Sequence, residues 1–435
     1  MFFYEGFFYI KKLKLTLNIL FFILCSLLLS DASISQEIDT IIINGNKNTK
    51  DYIIKREIFH PIHTYLDSLD MAEDINRLYN LGIFSTVDIN VENNTYNINV
   101  VESFAILPDL VIDYNENLKK WSYGLGLAHI NFLGLNQSLY VGGAFIGEKW
   151  FAISLYNPWL YGDHISLRTV LYNRFSENPF YDLSFNETYF LVESGFYKGL
   201  NNKFQFGLSY YKNKKHEGFL NNGLLPSNEK DIYRYLNLEF NYQYDKRDVY
   251  RDPLKGHLFE ITAGYSKSLI NSNSDISHLS ISFSKFFLLE SKYLHEPVLS
   301  YEIYTLLKFP NFNQLPIHEY EYLGGEDFVR GYSSFSDEYP NNFNKNIEVS
   351  NVIYNHLELQ STILKKRDYG RIEFGVDGLL FINSGIGSTQ FNSFSLDDLL
   401  VGYGFGFKFF ITGPPPISLT FGFNPYGQSY THFSD

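Results

Sequence analysis

The stretch YRYLNLEFNYQYDKR, Tyr233–Arg247, decides the fold. Leu236, Leu238, Phe240, Tyr242 and Tyr244 alternate with Asn237, Glu239, Asn241, Gln243 and Asp245. Successive side chains of a strand point to opposite faces, so this segment reads as a strand with one apolar and one polar face. Segments of the same kind recur on both sides of it. Among them are WSYGLGLAHINF (121–132), SLYVGGAFIG (138–147), HISLRTVLYNRF (164–175), NKFQFGLSYYKN (202–213), HLFEITAGYSKS (257–268) and LVGYGFGFKFFITG (400–413), each bounded by Gly, Asn, Asp or Pro. A tilted strand needs ~9–11 residues to cross a bilayer. Repeated alternation over a long chain, rich in aromatics, is the pattern of a transmembrane antiparallel β-barrel, in which every backbone group in lipid is paired. A soluble β-sandwich is the competing reading, and it rarely runs so long in one domain or carries so much Tyr and Phe.

Composition agrees. The 435 residues include 35 Tyr and 41 Phe but only 2 Met, and mean hydropathy is −0.16. A bundle of membrane-spanning helices would show several apolar runs of ~20 residues. The formal net charge of −13 and the lack of a basic stripe exclude nucleic acid as a partner. One long apolar run exists, LTLNILFFILCSLLL, Leu15–Leu29, preceded by Lys11, Lys12 and Lys14. It reads as the core of a signal peptide over 1–35, cleaved after Ser33-Ile34-Ser35. A retained anchor is the alternative, for which the run is short. The single cysteine, Cys25, lies inside this run. Cleavage would leave a mature chain without thiol chemistry or disulfides.

Residues 36–103 differ from the rest. EIDTIIINGN gives a β-branched strand ending in an Asn44-Gly45-Asn46 turn, and NTKDYIIKREIF places Ile53, Ile54, Ile58 and Phe59 at helical spacing behind Thr49 as N-cap. LDSLDMAEDINRLYNLG repeats Leu66, Leu69, Ala72, Ile75, Leu78 and Tyr79 along one face and stops at Gly82. FSTVDINVE and TYNINVVES follow as two strands joined at Asn93-Asn94. This strand-helix-helix-strand-strand order predicts a small α+β domain with its own core. His60 and His63 flank Pro61 and have no carboxylate at ligand spacing along the sequence, so they read as ordinary loop residues.

The pattern I-x-x-I-x-I-x-G-N ending in Ile43, Gly45 and Asn46, followed by D-x-x-R-L-Y-x-L-G-x-F-x-x-V from Asp74 to Val87 through Leu78, Gly82 and Phe84, resembles a POTRA domain. From about Pro108 onward two further landmarks resemble the superfamily of outer-membrane assembly and secretion transporters that includes BamA, TamA and the two-partner secretion pores. Asp245, Arg247 and Asp248, then Asp252-Pro253 and Gly256, match its D-x-R-D…P-x-K-G turn. Leu323-Gly324-Gly325 with Val329-Arg330-Gly331-Tyr332 matches its V-R-G-Y/F loop. The resemblance implies a POTRA-like domain over 36–103 and an outer-membrane β-barrel over 104–435, taken as sixteen-stranded, with a loop at about 309–345 folded into the lumen. It implies that Arg330 pairs with acidic side chains of the wall. The matching F-x-D-x-G segment is Phe381–Gly385 with Asn383 in place of the acid. Asp377, six residues earlier and of the same parity, is then the leading charged candidate, with Glu358 next and Glu326 and Asp327 of the loop itself as further alternatives. The last strand, ending SYTHFSD, departs from the family's terminal aromatic.

The function implied is insertion or translocation of polypeptides at the outer membrane, the module capturing a chain by adding it to its sheet edge. The implied partners are unfolded outer-membrane or secreted polypeptides, periplasmic or lipoprotein accessory proteins and the lipid bilayer, without cofactor, metal or nucleotide. A two-partner secretion pore and a porin-like surface barrel are the alternatives. No G-x-S-x-G, H-E-x-x-H or phosphate-binding glycine loop points to an enzyme.

Overall fold

The computed structural model describes residues 36–58, 62–63, 65–66, 68–115, 120–161, 165–178, 183–199, 201–216, 229–270, 273–333, 343–370, 372–411 and 416–434. The expected signal peptide, the residues Phe59, His60 and Pro61, and the 334–342 part of the long loop lie outside them.

The N-terminal module contains β1 (Gln36–Glu37), β2 (Thr40–Asn44), α1 (Asp51–Lys55), β3 (Tyr65–Leu66), α2 (Ser68–Asn80), β4 (Phe84–Glu92) and β5 (Thr95–Glu102). Its sheet has the order β2-β5-β4, with β2 parallel and β4 antiparallel to the central β5. Ile54, Leu78, Phe84, Ile89, Tyr96 and Ile98 are fully or nearly buried in one core, against which Ile43, Ile75 and Val87 pack. Burying each such side chain contributes about 1.5–3 kcal/mol. Gly45 and Gly82 take φ of +92° and +70°, which favours glycine at both turns.

Two local expectations are corrected. Lys50, not Thr49, stands at the N-cap of α1, and the helix spans only Asp51–Lys55. Thr49 instead donates its hydroxyl to Glu102 Oε1 at 2.7 Å. Leu66 belongs to β3, which pairs with β1, rather than to the second helix.

Sixteen strands form the second sheet: β6 (Ile106–Asn115), β7 (Lys120–Phe132), β8 (Gln137–Ile146), β9 (Trp150–Tyr161), β10 (Ile165–Asn178), β11 (Leu183–Lys198), β12 (Asn202–Lys215), β13 (Ile232–Asp245), β14 (Gly256–Ser268), β15 (Ile276–Leu288) and β16 (Val298–Phe309), then, beyond a long loop, β19 (Asn351–Asp368), β20 (Glu373–Ser388), β21 (Leu400–Ile411), β22 (Ile417–Phe423) and β23 (Ser429–Ser434). The loop carries the short pair β17 (Glu321–Tyr322) and β18 (Glu348–Val349). Every neighbour in the large sheet is antiparallel, and the sheet follows chain order throughout. Among the described residues β6 and β23 share no ladder, so they are the two edge strands of the sheet. Pro108, read as the start of the barrel half, sits inside β6, an outer strand where a residue without an N–H is tolerated.

The outward face is apolar and exposed at alternate positions: Leu110 and Ile112, Leu125 and Leu127, Phe206 and Leu208, Leu236 and Leu238, Leu380 and Ile382. The sequence alternation at Tyr233–Arg247 is this pattern. An exposed apolar face of this kind is stable only against lipid.

Candidate functional site

The chain between β16 and β19 crosses the interior. Leu315, Ile317 and Tyr320, around two 3-10 turns at Phe312–Gln314 and Ile317–Glu319, cluster with Leu183 and Phe185 of β11, Tyr233 and Tyr235 of β13 and Ile276 of β15. Farther on, Leu323, Val329 and Tyr332 cluster with Val352 of β19 and Leu400 of β21. One loop thus touches inner faces many strands apart. Lys308 anchors its start, its ammonium lying 3.0 Å from Glu319 Oε2 and 2.8 Å from Glu321 Oε1.

Arg330 at the loop tip is only 7% exposed. Its Nε donates to Asn383 Oδ1 at 3.0 Å and its Nη2 to Glu358 Oε2 at 3.1 Å, while the guanidinium carbon lies 3.8 Å from the centre of the Phe381 ring. A planar fork with fixed donor directions suits this combination of stacking and two acceptors better than an ammonium would. Each position of the Phe381–Gly385 motif therefore meets the tip: Phe381 stacks, Asn383 accepts, and Gly385 leaves room for Val329, whose Cγ2 lies 2.7 Å from where a Cβ would stand. With an amide at 383, the buried Nδ2 has no acceptor among the described residues.

The backbone of the tip reaches the last three strands. Gly331 N–H donates to His432 Nε2 of β23 at 3.0 Å, and Asn424 Nδ2 donates to Gly331 O at 2.8 Å. Tyr332 Oη donates to Val401 O at 3.1 Å, and Gly325 N–H donates to Tyr332 O at 2.8 Å. Gly331 has φ +96°, and a Cβ on Gly402 of β21 would fall 1.8 Å from Arg330 O. Gly324 bridges to Val329, closing the base of the tip. His432 was not singled out in the sequence, where it is one histidine in a departing C-terminal strand.

Asp377, expected as the leading charged partner of Arg330, is not in this site. It accepts from Gln360 Nε2 at 2.5 Å, and the same amide donates to Asp252 Oδ1 at 3.1 Å. Asp252 also pairs with Lys366 at 2.5 Å and lies 3.8 Å from Lys408. Asp252 comes from the turn between β13 and β14, whereas Gln360, Lys366, Asp377 and Lys408 come from β19, β20 and β21. The group is a second polar cluster tying that turn to a distant stretch of wall.

The turn itself is built on its acids. Arg247 forks onto Asp245 through Nε at 3.0 Å and Nη2 at 2.6 Å. Asp248 Oδ1 accepts from the N–H groups of Val249, Leu254 and Lys255 on either side of Pro253, and Gly256 at φ +109° starts β14. In the module, His63 Nδ1 lies 3.5 Å from Asp39 Oδ1, with Glu37 close by, so the fold supplies the carboxylates that spacing along the chain did not; His63 and Asp39 are exposed.

Glu102 holds Thr49, the residue that joins module to barrel. Its Oε1 accepts from the Thr49 N–H and hydroxyl and from Asn48 N–H, at 2.6–2.9 Å, and Oε2 from Asn48 Nδ2 at 2.8 Å. Asn131 Nδ2 of β7 donates to Thr49 Oγ1 at 2.9 Å. Burial alone would raise the Glu102 pKa, but these donors outweigh it and hold the carboxyl below its ordinary value.

Comparison with known proteins gives the arrangement a family. No curated protein sequence matches the chain. Its fold is similar to that of BamA from Haemophilus ducreyi lacking POTRA domains 1–3, with a TM-score of 0.56 at 17% identity over 93% of this chain and 84% of that one. It is also similar to CdiB from Escherichia coli, with a TM-score of 0.59 at 13% identity over 92% and 76%, and to CdiB from Acinetobacter baumannii, with 0.51 at 14% over 92% and 73%. Residues 36–103 match the POTRA family described as surface antigen variable number repeat, and residues 131–434 match the Omp85 superfamily domain. That second match takes in most of the chain and all of the wall that Arg330 touches: the chain belongs to the Omp85 superfamily.

Proposed function

We propose that this protein resides in the bacterial outer membrane with its module in the periplasm, and that it takes up an unfolded polypeptide and inserts it into the membrane. The outer strands β2 and β4 each offer one unpaired edge among the described residues, the geometry for capture by strand addition. The polypeptide then meets the seam between β6 and β23 and is templated there as a new strand.

The loop tip supports this reading above all. Its guanidinium holds β19 and β20 while its backbone holds β21 to β23, so the wall leading to the seam is braced from inside. A wall held in register beside an unpaired edge suits strand addition. Conduction through the interior, as in a two-partner secretion pore, would require the crossing loop to leave both clusters it fills.

Depleting the protein and quantifying the outer-membrane proteome separates the readings. Insertion predicts a loss of several other β-barrel proteins from the outer membrane. Loss of one secreted protein alone would favour the pore, and an unchanged proteome would contradict both.

A further inference from the structure

The first half of the lumen loop carries a histidine whose ring has no polar partner among the described residues. His318 belongs to the 3-10 turn Ile317–Glu319, beside Ile317 of the cluster on β11, β13 and β15. Its ring centre stands 4.9 Å from that of Tyr233, edge to face, and 5.4 Å from that of Tyr211. Both ring nitrogens are closed off from solvent, and neither has a hydrogen-bond partner among the described residues. Tyr211 and Tyr233 have the parity opposite to the lipid-facing Phe206 and Leu208, Leu236 and Leu238, so they project inward. The β13–β14 turn, where Asn80 of the module donates to Asp248 O, is at the other end of β13. The histidine therefore sits at the end of the sheet remote from the module.

A neutral imidazole keeps one N–H donor and one acceptor. Leaving both without a partner in a dry niche costs stability that a phenyl ring of similar shape would not lose. Protonation makes the mismatch worse, since both nitrogens become donors and the ring gains a charge. The surrounding charges offer that proton no place. Lys308 of β16 repels it, and Glu319 and Glu321, which would attract it, already hold the Lys308 ammonium. Glu229, ahead of β13, accepts from Ile317 N–H at 3.2 Å, Glu187 of β11 accepts from Tyr211 Oη at 3.2 Å, and His278 of β15 lies 3.8 Å from Glu239. Burial pushes the His318 pKa from the ordinary 6.5 down to about 4, with Glu319 opposing the fall and Lys308 adding to it.

We propose that His318 is a proton-operated latch: the docked loop holds its ring neutral between Tyr211 and Tyr233, and uptake of one proton releases the loop's first half from the wall. The direction follows from linkage. The docked ring resists a proton that the released ring takes readily, so docking is at full strength above about pH 6.5 and weakens as pH falls toward about 4. Two carboxyls act beside it. Burial holds Glu229 above its ordinary value, so its protonation favours docking and opposes the latch. Burial would raise Glu319 too, but Lys308 outweighs it and holds that carboxyl low, so its contribution is lost only below about pH 4.5. The Arg330 contacts lie farther along the loop and take no part in this step. The inference concerns the loop alone and does not rest on what the barrel carries.

Full-length Cys25→Ser protein in detergent micelles is given one reporter thiol, Leu315→Cys in the cluster or Asn313→Cys on the exposed side of the same turn. Cysteine behaves as a small apolar residue, so the first reporter keeps the cluster apolar. The rate at which a membrane-impermeant thiosulfonate modifies position 315 is divided by the rate at 313, which cancels the pH dependence of the thiol and leaves the released fraction. With His318 present the ratio is expected to rise about tenfold between pH 7 and pH 5. In His318→Phe and in His318→Gln it is expected to stay level, or to fall through Glu229. A level ratio with His318 in place overturns the latch. A rise that persists in the variants places the proton elsewhere, on His356 or His432 at the loop tip, and overturns it as well. Unheated gel mobility checks assembly; if one variant fails to assemble the other decides, and the histidine-bearing protein is by itself enough to refute the proposal.

Discussion

Arg330 gains from three neighbours of different kinds, and only one of them carries charge. Removing its side chain strands Glu358 and Asn383 on a wall from which most water is excluded. Breaking a buried hydrogen-bonded charge pair costs ~3–5 kcal/mol, and with the Glu358 side chain 20% exposed the loss belongs at or below the bottom of that range. Arg330→Ala is expected to free the loop tip and raise conductance through an assembled barrel. Arg330→Lys keeps the charge but loses the fork and part of the stacking, giving a milder change. A double-mutant cycle should show coupling with Glu358→Gln and none with Asp377→Asn. Asp377 and Asn383, of equal parity on β20, are both buried. Six residues along a strand is ~20 Å, however, and parity says nothing of depth. Glu102 carries a separate prediction. Its folded pKa is depressed, so its stabilisation is complete above the unfolded value and lost as pH falls through the folded one. Acid unfolding followed by circular dichroism should begin at higher pH in wild type than the carboxylate-independent limit, and Glu102→Gln, about 1–3 kcal/mol less stable at neutral pH, should flatten that dependence. An unchanged acid limb in Glu102→Gln would remove Glu102 from the account.

The elements show why alternation was legible and the loop's path was not. Period two is a local property, so strands such as β13 and β14 can be read from their own residues. Their ends cannot: β19 runs for 18 residues and β11 for 16, beyond the ~9–11 a bilayer needs, because alternation by itself marks no boundary. The pair β1 and β3 is two residues on each side, too short to leave a pattern. The crossing loop depends on contacts between residues more than a hundred positions apart, such as Gly331 and His432. The V-R-G-Y resemblance located the tip, but nothing in the sequence singled out the histidine that ties it to β23. Gly402 tests the backbone half of the lock. Gly402→Ala would drive a Cβ into Arg330 O, so the loop tip should move off β21 while the sheet still forms. The expected readout is faster hydrogen exchange at Gly331 and Tyr332 with unchanged heat-dependent gel mobility; exchange at the wild-type rate would show that the tip is not held there.

For the whole molecule, two clusters and one junction are in series. The module meets the barrel through Thr49, held by Glu102, on Asn131 and through α2 against the β13–β14 turn; that turn reaches through Asp252 to the β19–β21 wall; and that wall carries Glu358 and Asn383, which hold the loop tip. The module and the loop tip thus both contact the same stretch of wall through successive polar groups. The central claim is that the full chain inserts polypeptides and needs the Arg330 lock to do so. The most direct measurement reconstitutes the full chain in liposomes and follows the rate at which a urea-unfolded outer-membrane β-barrel becomes protease-resistant. The account predicts that wild type accelerates folding over empty liposomes and that Arg330→Ala, assembled to the same extent, loses about tenfold or more of that acceleration. Wild-type liposomes no faster than empty ones, or an Arg330→Ala rate equal to wild type, would contradict it.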